Sequence, residues 1–180
     1  MIFQNMVTLN GLHHKKGEKI MATEQKIGQI KLEGARIIFR NFSGKADKFN
    51  PKGGKRSFHV VIDDLDLAKQ LENDGWNIKY RPLKDEDDAP LAHLPVKVNY
   101  DNRPPKIYIV TDRRKELLNE ETVNALDYAE IESVDIVITP YQYDVNGQKG
   151  IAAYVKNMYV NVVQDEFADK YDFDEDLPFD

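Results

Sequence analysis

The sequence predicts a mainly β fold: an antiparallel β-barrel or sandwich with one or two short helices. Three observations predict it. At least six segments carry apolar residues at alternate positions, turn-forming stretches separate them, and strands do not alternate with helices as in a parallel α/β sheet. The chain has 180 residues, 41% of them apolar, which suits one domain with appended segments.

The first strands are predicted between residues 27 and 62. Residues 27–39 alternate around Gly34, which indicates a bulge or bend. Residues 41–55 are rich in Gly, Lys, Asn and Pro and predict a long loop, and residues 56–62 predict the next strand. Phe39 and Phe58 are expected in the core.

A helix is predicted over residues 63–74. Asp residues stand at its start, Leu65, Ala68 and Leu71 follow at helical spacing, and Gly75 comes directly after it. Residues 76–81 then alternate and predict a strand, which an exposed loop at residues 84–90 follows.

The second half of the chain adds four strands. Asn146-Gly147 is a strong signal for a hairpin between the last two. The predictions are strands at 94–100, 106–111, 134–143 and 151–163, a turn at 101–105, a partly helical segment at 113–126 and the hairpin connection at 144–150.

Residues 1–20 are expected to lie outside the fold. Their basic residues follow a short apolar stretch, which is the wrong order for a signal peptide. Lys16-Gly17-Glu18 can be encoded by a purine-rich ribosome-binding sequence at a suitable distance before Met21. We therefore predict that Met21 is the natural start and that residues 1–20 are translated leader; a disordered N-terminal arm is the alternative.

The charge is distributed unevenly along the chain. The net charge is −6, but residues 165–180 hold eight acids and one base, a net of −7, so residues 1–164 carry +1. This asymmetry predicts a near-neutral β domain at 21–164 and a disordered acidic tail at 165–180. No apolar run approaches the length of a transmembrane helix.

Several chemistries have no support in the sequence. The chain has no cysteine, which excludes a disulfide scaffold, thiolate metal ligands and a Cys nucleophile. Phosphate-binding glycine loops, GxSxG and HExxH are absent. His59 and His93 are interpreted as structural, His13-His14 lie in the leader, and the acids at 85–88 lack the spacing of a calcium loop. We predict no enzyme activity, cofactor or metal.

Basic and aromatic residues interleave at several places, as non-specific single-strand binding requires: cations follow the phosphates and flat rings stack on bases. They occur in the loop before residue 58, in the strand after the helix, and around the last strands. The candidates are Lys45, Lys48, Phe49, Lys52, Lys55, Arg56, Trp76, Lys79, Tyr80, Arg81, Lys106, Tyr108, Tyr141, Tyr143, Lys149 and Tyr154. For each ring the alternative is core packing, and for the loop it is an ordinary solvated loop.

The C-terminal tip gives the more specific signal. Apolar residues at the end of an acidic tail suit a basic-rimmed pocket on another protein, and the acids can also compete with phosphates for the chain's own cationic groove. The predicted partner-binding residues are Asp172, Phe173, Asp174, Glu175, Asp176, Leu177, Pro178 and Phe179.

The ending DFDEDLPF resembles the acidic tip of bacterial single-stranded DNA-binding proteins, although Asp180 follows the Phe that usually comes last. The body resembles instead a family of tailed-phage single-stranded DNA-binding proteins. The matching stretches are residues 34–37 through Phe42, the Lys- and Phe-containing loop before Ser57-Phe58, and NGQKGIAAY at 146–154 followed by Val155; the resemblance covers about residues 28–180.

This resemblance implies an OB-fold and strand protection during phage DNA replication and recombination in the cytoplasm of a bacterial host. It also implies that the tail recruits replication or recombination proteins such as a polymerase, a helicase or primase, or a recombinase. The alternative is a protein-interaction adaptor with an acidic, DNA-mimicking or solubilising tail. The sequence leaves homodimerisation open.

Overall fold

The computed structural model describes residues 27–82, 89–112 and 114–163. The predicted leader, the predicted tail and most of the predicted loop at 84–90 lie outside these residues. The described strands are β1 Ile30–Ala35, β2 Ile37–Asn41, β3 Arg56–Ile62, β4 Lys79–Arg81, β5 Leu91–Val98, β6 Lys106–Val110, β7 Lys115–Leu118, β8 Ile131–Val145 and β9 Gln148–Val162; the described helices are α1 Leu65–Asn73 and a 3₁₀ helix at Val123–Asp127.

One curled sheet contains all nine strands, in the order β1-β8-β9-β5-β3-β2, with β4 paired to β5, and with β6 paired to β9 and β7. The two ends of this order, β1 and β2, are consecutive in the chain and only Arg36 separates them. The backbone carbonyl of Arg36 accepts a hydrogen bond from the amide of Val61 at 2.9 Å. The strand pairings do not close the sheet into a barrel, but the arrangement is compatible with an OB-like fold.

The mainly β class is confirmed, and most strand pairings are antiparallel as predicted, but the sheet is mixed. β5 and β6 both run parallel to β9, along the same edge of it. Local sequence pattern carries no information about strand direction across such long connections, and only the packed sheet defines it.

The first predicted strand forms two strands, β1 and β2, which Arg36 separates, and β1 itself is bulged at Gly34. Gly34 has a φ of +63°, and the register with β8 shifts between Leu32 and Ala35. The amide of Gly34 donates a 2.8 Å hydrogen bond to the Asp135 carboxylate. The predicted bulge is therefore present, because glycine tolerates a left-handed conformation and a side chain captures the amide that the ladder leaves free.

Helix α1 forms as its end signals predict. The Asp64 side chain caps it by accepting from the amides of Asp66 at 3.0 Å and Leu67 at 3.1 Å. Ala68 and Leu71 pack into the core. The segment after the helix differs from the prediction, since β4 begins at Lys79 rather than at residue 76.

Strands β8 and β9 form a long hairpin, as predicted. Asn146 and Gly147 form its two-residue turn with φ values of +52° and +81°, which suits the right-handed twist of the strands. Farther along the ladder, Ile138 pairs with Val155 and Val137 with Asn157, so Lys156 is an extra residue in β9. This bulge reverses the alternation of β9 beyond it.

The predicted partly helical segment at 113–126 is in part a strand. Lys115–Leu118 forms β7 and pairs antiparallel with β6. The helical part is the 3₁₀ helix, whose Val123 and Leu126 are buried. Pairing with β6 outweighs local helix propensity here.

The core fills the concave side of the sheet. Phe58 is fully buried, as predicted, and its ring stacks on Phe42 with centroids 5.1 Å apart. Trp76, next to α1, joins this core and bridges to Ile151 of β9. Among the described residues, no helix is both long and apolar enough to cross a membrane.

Candidate nucleic-acid interface

The Lys-rich loop between β2 and β3 has a defined backbone. Asn41 donates to the carbonyl of Lys45 at 3.0 Å and accepts from its amide at 2.9 Å. The Asp47 carboxylate accepts from the amides of Phe49 and Asn50, each at 2.7 Å. These contacts hold Phe49 out in solvent, 84% exposed, with the Lys48 ammonium 4.7 Å from its ring centroid. The loop therefore offers one ring and a cation together.

The loop cations differ in their surroundings. Lys48, Lys52 and Lys55 are exposed. The Lys45 ammonium lies 5.0 Å above the Tyr128 ring and donates to its hydroxyl. Arg56 has only 21% of its side chain exposed and pairs with Glu120 at 3.0 Å. Arg56 thus has a carboxylate partner already, which weakens the prediction that it contacts phosphate.

The side of the sheet that faces away from the core, here called the outer face, carries a second group of candidates. Residues directly opposite each other in a ladder point to the same face. His59 is opposite Pro95, and Lys79 is opposite His93, so β3, β4 and β5 present these side chains together. Arg81 follows Lys79 on the same face. Tyr80 points the other way and donates to Glu72 of α1 at 3.1 Å.

Three rings form a cluster on this face, close to Lys79. The Nδ1 atoms of His59 and His93 lie 2.9 Å apart. The Phe39 ring meets both imidazoles edge-on, with centroids 5.2 Å and 5.7 Å away. Burial lowers the pKa of His59 to about 4, helped by the nearby charges of His93 and Lys79. In the parts of the chain that the structure describes, no group of three or more His, Asp or Glu side chains could hold a metal ion.

Tyr154 of β9 continues the outer face beside β5. It is paired with Lys97, whose ammonium lies 5.7 Å from the ring centroid. Tyr141 meets Tyr154 edge-on at 6.1 Å. Tyr143, on the same face near the hairpin tip, lies over Gly150. Lys149 is paired with Asp144 and therefore points to the other face of the hairpin, with its ammonium 3.8 Å from the Asp144 carboxylate.

Strand β6 extends the same face farther along β9. Lys106 is paired with Asn157, and Tyr108 with Tyr159. The rings of Tyr108 and Tyr159 stack at 4.9 Å with 13° between their planes. The Lys115 ammonium lies 4.9 Å and 5.7 Å from the two centroids.

Two predictions about rings are wrong. Trp76 was predicted to contact DNA but is only 4% exposed, because α1 brings it into the core beside Ile151. It also does not share a strand with Tyr80. Phe39 was predicted in the core but is 57% exposed, because its φ of +51° and a shift in the register of β2 against β3 turn it outward.

Sequence reasoning also missed several residues on this face, namely Lys97, Lys115, Tyr159 and the His59–His93 pair. Period two from Tyr154 assigns Tyr159 to the opposite face, and only the extra residue Lys156 brings it back. Lys115 falls in the segment 113–126, for which the sequence predicts partly helical structure. Lys97 had a usable signal, since it alternates with the buried Val96 and Val98.

A family model described as a putative phage ssDNA-binding domain matches residues 21–179. The chain belongs to this family. The predicted membership of a phage single-stranded DNA-binding family is therefore confirmed, while the acidic tip remains a prediction outside the described residues.

Solved structures with a similar fold include the single-stranded DNA-binding protein of bacteriophage Enc34. Its C-terminally truncated form is 14% identical, with a TM-score of 0.50 over 77% of this chain and 87% of that chain. The same phage protein in complex with ssDNA is 16% identical, with a TM-score of 0.50 over 78% and 89%. At these identities the likeness concerns the fold. The curated proteins contain no significant match.

Proposed function

We propose that this chain binds single-stranded DNA without sequence preference across the outer face of its sheet. The observation that carries the proposal is the alignment of accessible rings and cations on that one face: Phe39, His59 and Lys79 on β2–β4, and then Lys97 and Tyr154 where β5 meets β9. Each of these two groups combines a flat ring with a positive charge. Stacking on bases requires the ring, and neutralising phosphates requires the charge.

The topology supports the same face. If β1 and β2 together count as one bent strand, β3 and β5 are the second and third strands of an OB-like fold. OB-folds bind oligonucleotides on the face of those two strands and on the loops L12 and L45. The Lys-rich loop with Phe49 and the β8–β9 hairpin with Lys149 occupy these loop positions.

The candidate residues differ in the role proposed for them. Phe49, Tyr141, Tyr143 and Tyr154 are proposed to stack on bases. Phosphate contacts are proposed for Lys48, Lys52, Lys55, Lys79, Arg81, Lys97 and Lys149, whereas Lys45 and Arg56 are proposed to support the loop through Tyr128 and Glu120.

Beyond binding itself, we propose a role in protecting single strands during phage DNA replication and recombination inside the bacterial host. The acidic tail at 165–180 is proposed to recruit replication or recombination proteins through its Leu-Pro-Phe tip, and to compete with DNA for the cationic face. Its charge of −7 against +1 for the remaining residues supports such competition.

An anisotropy titration with labelled single-stranded DNA, duplex DNA and RNA of equal length tests the proposal. The full chain is expected to prefer the single strand of DNA over duplex. Tyr154→Leu should weaken binding about tenfold, within the range for loss of one stacked base, whereas Tyr80→Leu, on the opposite face, should not. No binding of any nucleic acid would refute the proposal and favour the adaptor.

A further inference from the structure

We propose that Tyr108, Tyr159 and Lys115 form a second nucleobase-binding site, on the hairpin of β6 and β7. This inference rests on the proposed function and extends it. β6 and β7 lie off the main strand order of the sheet, so this site occupies a different part of the outer face from β3 and β5. A single strand of DNA bound across both parts would be longer than the stretch that β3 and β5 alone can contact.

The two tyrosines form a ready-made stacking surface. They are direct partners in the parallel ladder of β6 and β9, and their rings are stacked with centroids 4.9 Å apart. Because each ring holds the other in place, little side-chain freedom remains to be lost when a base stacks on them. A planar, aromatic ligand matches this surface.

Core packing does not account for the pair. The neighbours that alternate with these tyrosines, Ile107, Met158 and Val160, are buried and fill the core on the other side of the sheet. Tyr159 keeps 38% of its surface exposed. Leu117, opposite Tyr108 in β7, is exposed as well and extends the apolar patch. Two large rings therefore remain on the surface with solvent access.

The charges around the pair define where a phosphate backbone can pass. The Lys115 ammonium lies within 6 Å of both ring centroids on the β7 side, at 4.9 Å and 5.7 Å. On the β8 side, the carboxylate of Asp135 belongs to the residue opposite Tyr159. Repulsion from Asp135 and attraction to Lys115 together favour a backbone that runs along β7 with its bases on the tyrosines.

The site is in line with the rest of the outer face. Tyr154 and Tyr159 are opposite Thr139 and Asp135, which are four positions apart on β8, about 13 Å at roughly 3.3 Å per residue. Lys106, paired with Asn157, lies between them on the same face. Tyr154 with Lys97, then Lys106, then Tyr108–Tyr159 with Lys115 thus form one row, which one extended strand can follow.

Binding of oligo-dT of graded length to the full chain tests this proposal. Lengths from about 4 to about 16 nucleotides cover the range of site sizes known for OB-folds. Tyr108→Leu keeps the apolar contact but removes the ring. It should weaken binding of the longest oligonucleotide about tenfold and leave the shortest that binds unchanged. Tyr80→Leu, a half-exposed tyrosine on the opposite face, is the matched control.

Lys115→Gln provides a second variant, and because Lys115 is exposed its loss does not endanger the fold. It should reduce the salt slope for the longest oligonucleotide by about 0.7 and not that for the shortest. The second site would be overturned if Tyr108→Leu weakened binding equally at all lengths of oligonucleotide, or at none. The same holds for the effect of Lys115→Gln on the salt slope. If the unaltered chain bound oligo-dT of no length at all, the proposed function would be refuted instead.

Discussion

His59 and His93 approach each other through their Nδ1 atoms, 2.9 Å apart, on the outer face of the sheet. At this distance one Nδ1 donates a proton and the other accepts it, so at least one ring is neutral at that nitrogen. Burial lowers the pKa of both histidines; the charges of His93 and Lys79 add to the effect at His59, and those of Arg81 and Lys79 at His93. Both imidazole rings are therefore uncharged at neutral pH.

This geometry predicts that the protein loses stability between about pH 6.5 and pH 4. The pKa of His59 is about 4 in the folded chain against 6.5 for the free side chain, so the unfolded chain binds more protons in that window. The contribution is complete above pH 6.5 and is lost as the pH falls through 4. Urea unfolding at a series of pH values measures it. The fall should be shallower in His59→Gln, and an identical fall would contradict the assignment.

The cations of the outer face predict a specific salt dependence. Lys97→Ala should reduce the slope of log affinity against log salt by about 0.7, the value for one phosphate contact on a single strand. Lys69→Ala, an exposed lysine on α1, is the matched control and should leave the slope unchanged. Titration of oligo-dT at several salt concentrations gives both slopes. Equal slopes for the two variants would exclude Lys97 from the path of the phosphates.

The burial of Trp76 predicts that its fluorescence reports unfolding and not DNA contact. Addition of oligo-dT should change its emission little, because the ring is 4% exposed. A small soluble quencher should reach the ring only in urea. Trp76→Ala should cost about 3–5 kcal/mol of stability, as for other buried large rings. Strong quenching by oligo-dT in the folded protein would contradict this.

Gly150 is predicted to position Tyr143. A Cβ atom at residue 150 would lie 2.7 Å from Cζ of Tyr143, so Gly150→Ala must displace that ring. We expect weaker DNA binding in Gly150→Ala with a stability loss of no more than about 1 kcal/mol. Gly28→Ala is the control, because a Cβ there meets nothing within 4 Å.

A double variant checks the cause of that loss. If displacement of the ring is responsible, Tyr143→Leu should weaken binding equally, and Gly150→Ala should add nothing to it. Additive losses would show that the two positions act separately.

Removal of the acidic tail is expected to tighten DNA binding. Deletion of residues 165–180 removes a net charge of −7 and should raise affinity at low salt, with the gain shrinking as salt screens the competition. The same deletion should abolish binding of replication partners. Substitution of Phe179 by Ala keeps the charge, so it should remove partner binding alone. Unchanged or lower DNA affinity after deletion would refute competition between the tail and DNA.

Much of the local structure was predictable from short-range signals. Asn146-Gly147 favours a two-residue hairpin turn, Asp64 supplies a helix cap, and Gly34 supplies a bend, and each needs only neighbouring residues to act. The family motifs, which are also short stretches of sequence, predicted an OB-fold and single-strand binding. By contrast, the sheet directions around β9 depend on strands far apart in the chain.

The sequence by itself determined the mainly β class, the α1 and hairpin positions, the uneven charge and the family. Only the tertiary structure decided which rings are available to a ligand. Trp76 is buried because α1 carries it into the core, Phe39 is exposed because β2 changes register, and Tyr159 shares a face with Tyr154 because Lys156 is an extra residue. Alternation along a strand specifies two faces, but which of them becomes the core depends on bulges and on the elements packed against it.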